Sequence, residues 1–293
     1  MNKKGITLSN GEQYYYIDTG DGNEVLVLLH GNMSSSVHFE PLIERLKDSY
    51  RIIAPDLRGF GDSSYKKPFE SLHDLADDVI DLLRLLSIKS YFLGGWSTGG
   101  AIALSMAAKV PDHVNKLILI ESASHRGYPI FQKDEAGTPM VGKYYETKED
   151  LAKDPVQVAP MVGIFDTKNV AAMDAIWKQV IYTVNQPSEE DNKRYLEETL
   201  KQRNLVDIDW ALTTFNMSNF SNGVSLGEGN IGDVTCPVLS IWSNKDITVL
   251  EYMIDETVEA LPNAKKVVLK DAGHSPLVDK PDELTNNILN FLK

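Results

Sequence analysis

The sequence predicts an α/β protein, a mostly parallel sheet flanked by helices with a helical cap inserted between two of its strands. Three observations carry that expectation. Short β-rich runs alternate with amphipathic helical patterns through the first 122 residues and again from residue 232. A glycine-flanked serine, Gly95-Trp96-Ser97-Thr98-Gly99, sits where one such run gives way to a helix. Residues 123–231 are helical and irregular, without a convincing buried strand, and far too long for a loop. Alternating β and α elements imply a parallel sheet covered on both faces. The expected organisation is therefore a core of residues 1–122 and 232–293 with a cap at 123–231.

Taken in order, strands are expected at 14–18, 24–29, 50–55, 90–94 and 116–121. The run at 24–29 is apolar almost throughout, which suits a strand buried on both faces. A helix is expected at 71–86, because Leu72, Leu75, Ala76, Val79, Leu82, Leu83 and Leu86 recur at helical spacing. Ser71 and Asp74 open it in the manner of a capping box. Asp77, Asp78 and Asp81 read as its solvated face. A second helix, 101–109, leaves the serine turn. After the insertion the alternation resumes with a strand at 237–243, a helix at 249–261 and a strand at 265–271. The last helix begins near Pro281, a residue suited to the first helical position.

Composition excludes several function classes. The chain has 293 residues, 42% of them hydrophobic, enough for a sizeable core. Its net charge of −13 opposes binding to nucleic-acid phosphates and to anionic membranes. No apolar run approaches the ~18 residues that span a bilayer. The first seven residues lack the apolar stretch of a signal peptide. The single cysteine, Cys236, allows no internal disulfide and no multi-thiolate metal site. These features predict a cytoplasmic protein acting on a small molecule, as a monomer or homodimer.

The chemistry concentrates at Ser97. Gly-x-Ser-x-Gly between a strand and a helix is a nucleophile elbow, a turn so tight that side chains at its flanks would collide with neighbouring elements. A serine hydroxyl needs a base, because it is a poor nucleophile near neutral pH. Of six histidines, His274 lies in a loop directly after a strand. His30 ends another strand, where its ring can pin the loop. His38, His73 and His113 read as surface or packing residues, and His125, at the start of the insertion, is open to a pocket role. The base in turn needs a carboxylate. Asp246, just after the strand at 237–243, is the first candidate. Glu121, at the end of the strand before the insertion, is its rival. A tetrahedral intermediate needs two N–H donors. Thr98 supplies one, at the start of a helix, and Asn32 the other, in His30-Gly31-Asn32-Met33.

These residues resemble the α/β-hydrolase family, in its capped group of carboxylesterases, lactonases and carbon–carbon bond hydrolases. The likeness rests on His30-Gly31-Asn32, on Asp56-Leu57-Arg58-Gly59-Phe60-Gly61-Asp62-Ser63, on Gly95-Trp96-Ser97-Thr98-Gly99-Gly100, on Asp246 and on Gly273-His274. The order Ser97, Asp246, His274 is that of the family's triad. The resemblance implies that Asp56 and Arg58 belong to a structural loop and that cap side chains select the substrate. Trp177, Trp210, Phe165, Phe215, Phe220, Met140, Met161, Met173 and Met217 are candidates for that wall. A serine nucleophile separates the chain from the aspartate-dependent dehalogenases and epoxide hydrolases of the same family.

The expected function is a serine hydrolase of small esters, thioesters or lactones, needing no metal or organic cofactor. Two alternatives stay open. One is a carbon–carbon bond hydrolase of vinylogous diketones, with Arg126 as anchor for an acidic end. The other is a slow-turnover ligand sensor.

Overall fold

The computed structural model describes residues 2–20, 22 and 24–293. Met1 of the N-terminal segment lies outside them. An edge strand that the sequence patterns leave unassigned, β1 (Lys3–Thr7), opens the fold. It is followed by β2 (Gln13–Asp18), β3 (Val25–Leu29), α1 (Glu40–Leu46), β4 (Arg51–Pro55) and α2 (Leu72–Leu85). Next come β5 (Tyr91–Trp96), α3 (Thr98–Lys109) and β6 (Val114–Ile120). The core resumes with β9 (Val238–Ser243), α9 (Glu251–Ala260), β10 (Ala264–Leu269), α10 (Pro276–Asp279) and α11 (Pro281–Leu292). Between β6 and β9 stand the hairpin β7 (Phe131–Lys133) and β8 (Pro139–Tyr144), then α4 (Lys148–Leu151), α5 (Ala159–Asp166), α6 (Val170–Val180), α7 (Glu189–Thr199) and α8 (Leu205–Thr214). The hairpin is a strand pair that the irregular pattern of this segment does not disclose.

Eight strands form one sheet in the order β1-β2-β4-β3-β5-β6-β9-β10. Pairing is antiparallel from β1 to β2 and from β2 to β4, and parallel from there on. Side-chain alternation divides the central strands between two cores. Val27, Leu29, Leu93, Leu117 and Leu119 face α2 and α3. Leu26, Leu28, Phe92, Ile118, Ile120 and Ile241 face α1 and α11. Both faces are dry, so the strands read as continuous apolar runs.

Ser71 caps α2 as expected, accepting a bond from Asp74 N while the Asp74 side chain returns to the Ser71 backbone. Asp78 departs from the expected solvated face. It is 2% exposed and takes the Arg58 guanidinium at 2.6 and 2.7 Å and the Tyr14 hydroxyl at 2.8 Å. Helical spacing alone does not separate an acid with a buried arginine partner from one in water. Asp56 braces its loop, accepting bonds from Ser36 N and Oγ and from Asp62 N.

Candidate active site

The site is built from turns at the carboxyl ends of parallel strands, where open α/β sheets place their ligands. Ser97 follows β5 and holds φ 55° and ψ −121°. A non-glycine residue in that region is strained by about 1–3 kcal/mol and persists only where its surroundings enforce it. Three backbone bonds do so: Ser97 N donates to Ile120 O, and the Ser97 carbonyl accepts from Gly100 N and Ala123 N. The turn also needs Gly99, where a Cβ would lie 2.1 Å from the Leu29 carbonyl oxygen. Gly31 brings the loop after β3 against the serine; its missing Cβ would stand 2.9 Å from Ser97 Cβ.

His274 follows β10 and Asp246 follows β9, and the structure brings the two together. His274 Nδ1 lies 2.7 Å from Asp246 Oδ2, with both residues buried. Asp246 Oδ1 accepts from Thr248 N at 2.7 Å and Val249 N at 3.0 Å. Burial opposes the Asp246 charge, but the facing His274 and these N–H groups hold its carboxyl below the ordinary carboxylate range. Trp96, adjacent to Ser97, donates its indole N–H to the His274 carbonyl at 2.8 Å. The serine strand and the histidine loop are thereby tied.

Glu121 stands behind Asp246. It is fully buried, has φ 43°, and accepts from Ser243 N and Ser243 Oγ. Ser243 links the two acids: its N–H and hydroxyl bond the Glu121 carboxyl while its carbonyl accepts from Asp246 N, so the two carboxyls interact. Burial, and then the facing Asp246, push Glu121 well above the usual glutamate range.

Asn32 and Thr98 are also brought together. Asn32 N donates to Thr98 Oγ1 across a long 3.3 Å. The Asn32 side chain is fixed by two residues from the segment between β6 and β9. Its amide donates to Asp209 Oδ1 at 2.9 Å, and its oxygen accepts from Gln202 Nε2 at 2.8 Å. Gln202 Oε1 accepts from Met33 N as well. Burial pushes Asp209 up to about 8, so it is neutral at pH 7. His30 pins the base of this loop: its Nε2 accepts from Leu57 N at 3.0 Å, and burial drives it down to about 4.

The same segment reaches the other site loops. Thr248 Oγ1 donates to the Val180 carbonyl, and Asp279 accepts from both Asn185 N and Gly273 N. Sequence patterns do not disclose Gln202, Asp209, Ser243 or Asp279, since each is a single polar residue without a motif. His125 is not drawn into the site. It is buried, with N and Nδ1 on Thr257 of α9. Arg126 binds Ser221 O and lies 3.8 Å from Glu256. Among the residues expected to line a pocket, Phe215 and Met217 pack in the core on the α2–α3 side, and Phe220 is 74% exposed. Trp177, Met161, Met173 and Phe165 are buried in one cluster with Trp96. Met140 lies on β8, and Trp210 packs against Ile130, Leu151 and Val158. A cavity of about 490 Å³ is lined by the apolar Val162, Phe165, Leu205 and Val206 and by the polar Asp166, Lys168, Gln202, Arg203, Asn204 and Asp207; Ser97 and His274 are not part of its wall, and Gln202 is its link to Asn32.

Among the described residues, the carboxylates of Asp56, Asp62 and Glu198 lie close enough together to hold a cation. The Lys3 ammonium already bonds all three, at 2.7 to 2.9 Å. No helix among the described residues is long and apolar enough to cross a membrane.

Comparison with known proteins identifies the fold. Lipase 1 of Psychrobacter immobilis is 28% identical over 98% of this chain and 83% of its own length. Among solved structures, an esterase from Exiguobacterium antarcticum superposes with a TM-score of 0.76 at 20% identity, covering 99% of both chains. The enol-lactonase of Burkholderia xenovorans gives 0.75 at 19% identity, again over 99% of both chains. The family described as the alpha/beta hydrolase fold matches residues 24–281. With an eight-stranded sheet and a strained serine turn as its framework, the chain belongs to the α/β-hydrolase fold family and is a hydrolase.

Proposed function

We propose that the protein cleaves a small carboxylic ester, thioester or lactone through an acyl-enzyme on Ser97. The observation that carries the reading is the 2.7 Å bond from His274 Nδ1 to Asp246, beside a serine held at φ 55°. That bond fixes the imidazole tautomer, leaving Nε2 as the base. His274 takes the Ser97 proton as Oγ attacks the carbonyl carbon. The oxygen then turns negative and is held by the backbone N–H groups of Asn32 and Thr98, the latter at the N-terminus of α3. The weak 3.3 Å bond from Asn32 N to Thr98 Oγ1 is readily exchanged for one to an oxyanion. His274 returns the proton to the leaving alcohol, thiol or hydroxyl. It next takes one from water as the water oxygen attacks the acyl carbon, and gives that proton to Ser97 Oγ as the acyl–Ser97 bond breaks and the acid is released.

Residues 123–231 act as a cap on a core of 1–122 and 232–293. Support comes from their bonds to the loops that carry Asn32, Asp246 and His274. The cavity beside Gln202 receives the larger substituent of the substrate. Lipases and an esterase among relatives and structural neighbours favour ester cleavage. Arg126, the anchor that carbon–carbon cleavage would use, bonds Ser221 O and lies 3.8 Å from Glu256, and its Nε has no partner among the described residues. The test is hydrolysis of p-nitrophenyl esters of graded acyl length by wild type and Ser97→Ala. Steady turnover in wild type, lost in the variant, is expected. Equal rates in both proteins would overturn the assignment, and a single burst without turnover would favour a sensor.

A further inference from the structure

We propose that Glu121 is a positioning residue of this site, donating a hydrogen bond from its protonated carboxyl to Asp246 and so fixing the carboxylate that holds His274. The inference rests on the reading of Ser97, His274 and Asp246 given above. It begins with placement. Glu121 N donates to Ile241 O, so the residue continues the β6–β9 pairing and its carboxyl lies beside the turn that carries Asp246. Its backbone is left-handed, an unfavourable conformation for glutamate, which the Ser243 N and Oγ bonds retain. Among the described residues no lysine or arginine pairs with it. Two buried carboxylates side by side, with no lysine or arginine to neutralise the second charge, resist ionising together.

One proton must therefore lie between them, and its owner follows from the surroundings. Asp246 faces His274 and two backbone N–H groups, all of which favour its charge. Glu121 has only the Ser243 donors and is forced up by burial. The proton stays on Glu121 and points to Asp246. Tyr128, a further titratable group that interacts with Asp246, is pushed up to about 12 by burial and remains neutral.

Two consequences follow. The pair carries a single negative charge, matched to one imidazolium in the transition state. The donated hydrogen bond also draws charge from Asp246, so its hold on a His274 imidazolium is weaker than that of an unassisted carboxylate. Glu121 touches no reacting atom and acts through Asp246.

The test follows the rate at which a fluorophosphonate labels Ser97 as a function of pH, which reads the base without a natural substrate. Glu121→Gln keeps a neutral donor, and Glu121→Met keeps the length without one. The expected result is a wild-type profile for Glu121→Gln. In Glu121→Met the acidic limb moves up by about one unit, slowing labelling about tenfold below it. An unmoved limb in Glu121→Met, or the same displacement in both variants, overturns the proposal while leaving Ser97 in place. Absence of labelling at Ser97 in wild type overturns the reading of the site itself. A second measurement does not depend on the folding of the methionine variant. The infrared band of a protonated carboxyl, present in wild type at neutral pH, should weaken in Glu121→Gln; an unchanged band contradicts the proposal.

Discussion

Replacing Asp209 by asparagine should stabilise the protein by an amount set by pH. Asp209 is a buried acid whose Oδ1 accepts from the Asn32 amide at 2.9 Å. Asparagine keeps an oxygen for that bond and has no charge to lose. The carboxyl titrates near 3.8 when unfolded and at about 8 when folded. Between those values the folded chain keeps a proton that the unfolded chain releases, so wild-type stability falls as pH rises. Below 3.8 both states are protonated and the variant gains nothing from this source. Each pH unit above it adds about 1.4 kcal/mol, giving about 4 kcal/mol at pH 7 and levelling near ~6 kcal/mol above pH 8. At about 2.1 cal/mol/K per residue, 4 kcal/mol corresponds to roughly 7 °C in Tm. Urea unfolding of both proteins from pH 4 to pH 9 measures the difference. Wild-type kcat/KM should also decline above pH 8, where Asp209 ionises behind Asn32, and the variant should lack that limb. A stability difference independent of pH would refute it, because no protonation difference would then separate the two states.

Three other substitutions test separate parts of the structure. Trp96→Phe removes the donor to the His274 carbonyl and leaves a buried oxygen unpaired; stability should fall by about 1–3 kcal/mol in urea, with kcat reduced more than KM is raised. Asp78→Ala strands the buried Arg58 guanidinium and should cost about 3–5 kcal/mol by the same assay, far more than a solvated helix face allows. Leu205→Trp fills part of the 490 Å³ cavity and should depress hydrolysis of long acyl esters while sparing acetate; a uniform loss across chain lengths would move the substrate elsewhere.

How much of this was legible in sequence depends on where each residue finds its partner. The serine turn was legible because its constraints are local: Gly99 has no room for a Cβ within a motif of five residues. Strands such as β3 and β5 showed as dense apolar runs because both faces of the sheet are covered. The histidine and acid loops were found from their places after strands, and their meeting at 2.7 Å gives that placement a geometry. The remaining contacts were invisible because they are distant in the chain. Asn32 meets Asp209 across 177 positions and Gln202 across 170, and Asn185 meets Asp279 across 94. No periodicity marks such pairs. Glu121 was visible as a carboxylate at a strand end, but whether it rivals Asp246 or supports it depends on side-chain direction. The β7–β8 hairpin was missed because its strands are short and largely polar, so neither carries a clear alternation.

The central claim is a covalent intermediate on Ser97, and trapping it tests that claim most directly. Wild type is mixed with a p-nitrophenyl ester, quenched in acid within the first turnover, and weighed intact before peptide mapping. The account predicts one added acyl group, confined to the peptide containing Ser97 and absent from Ser97→Ala. An acyl group on another residue, or hydrolysis by Ser97→Ala at the wild-type rate, would contradict it.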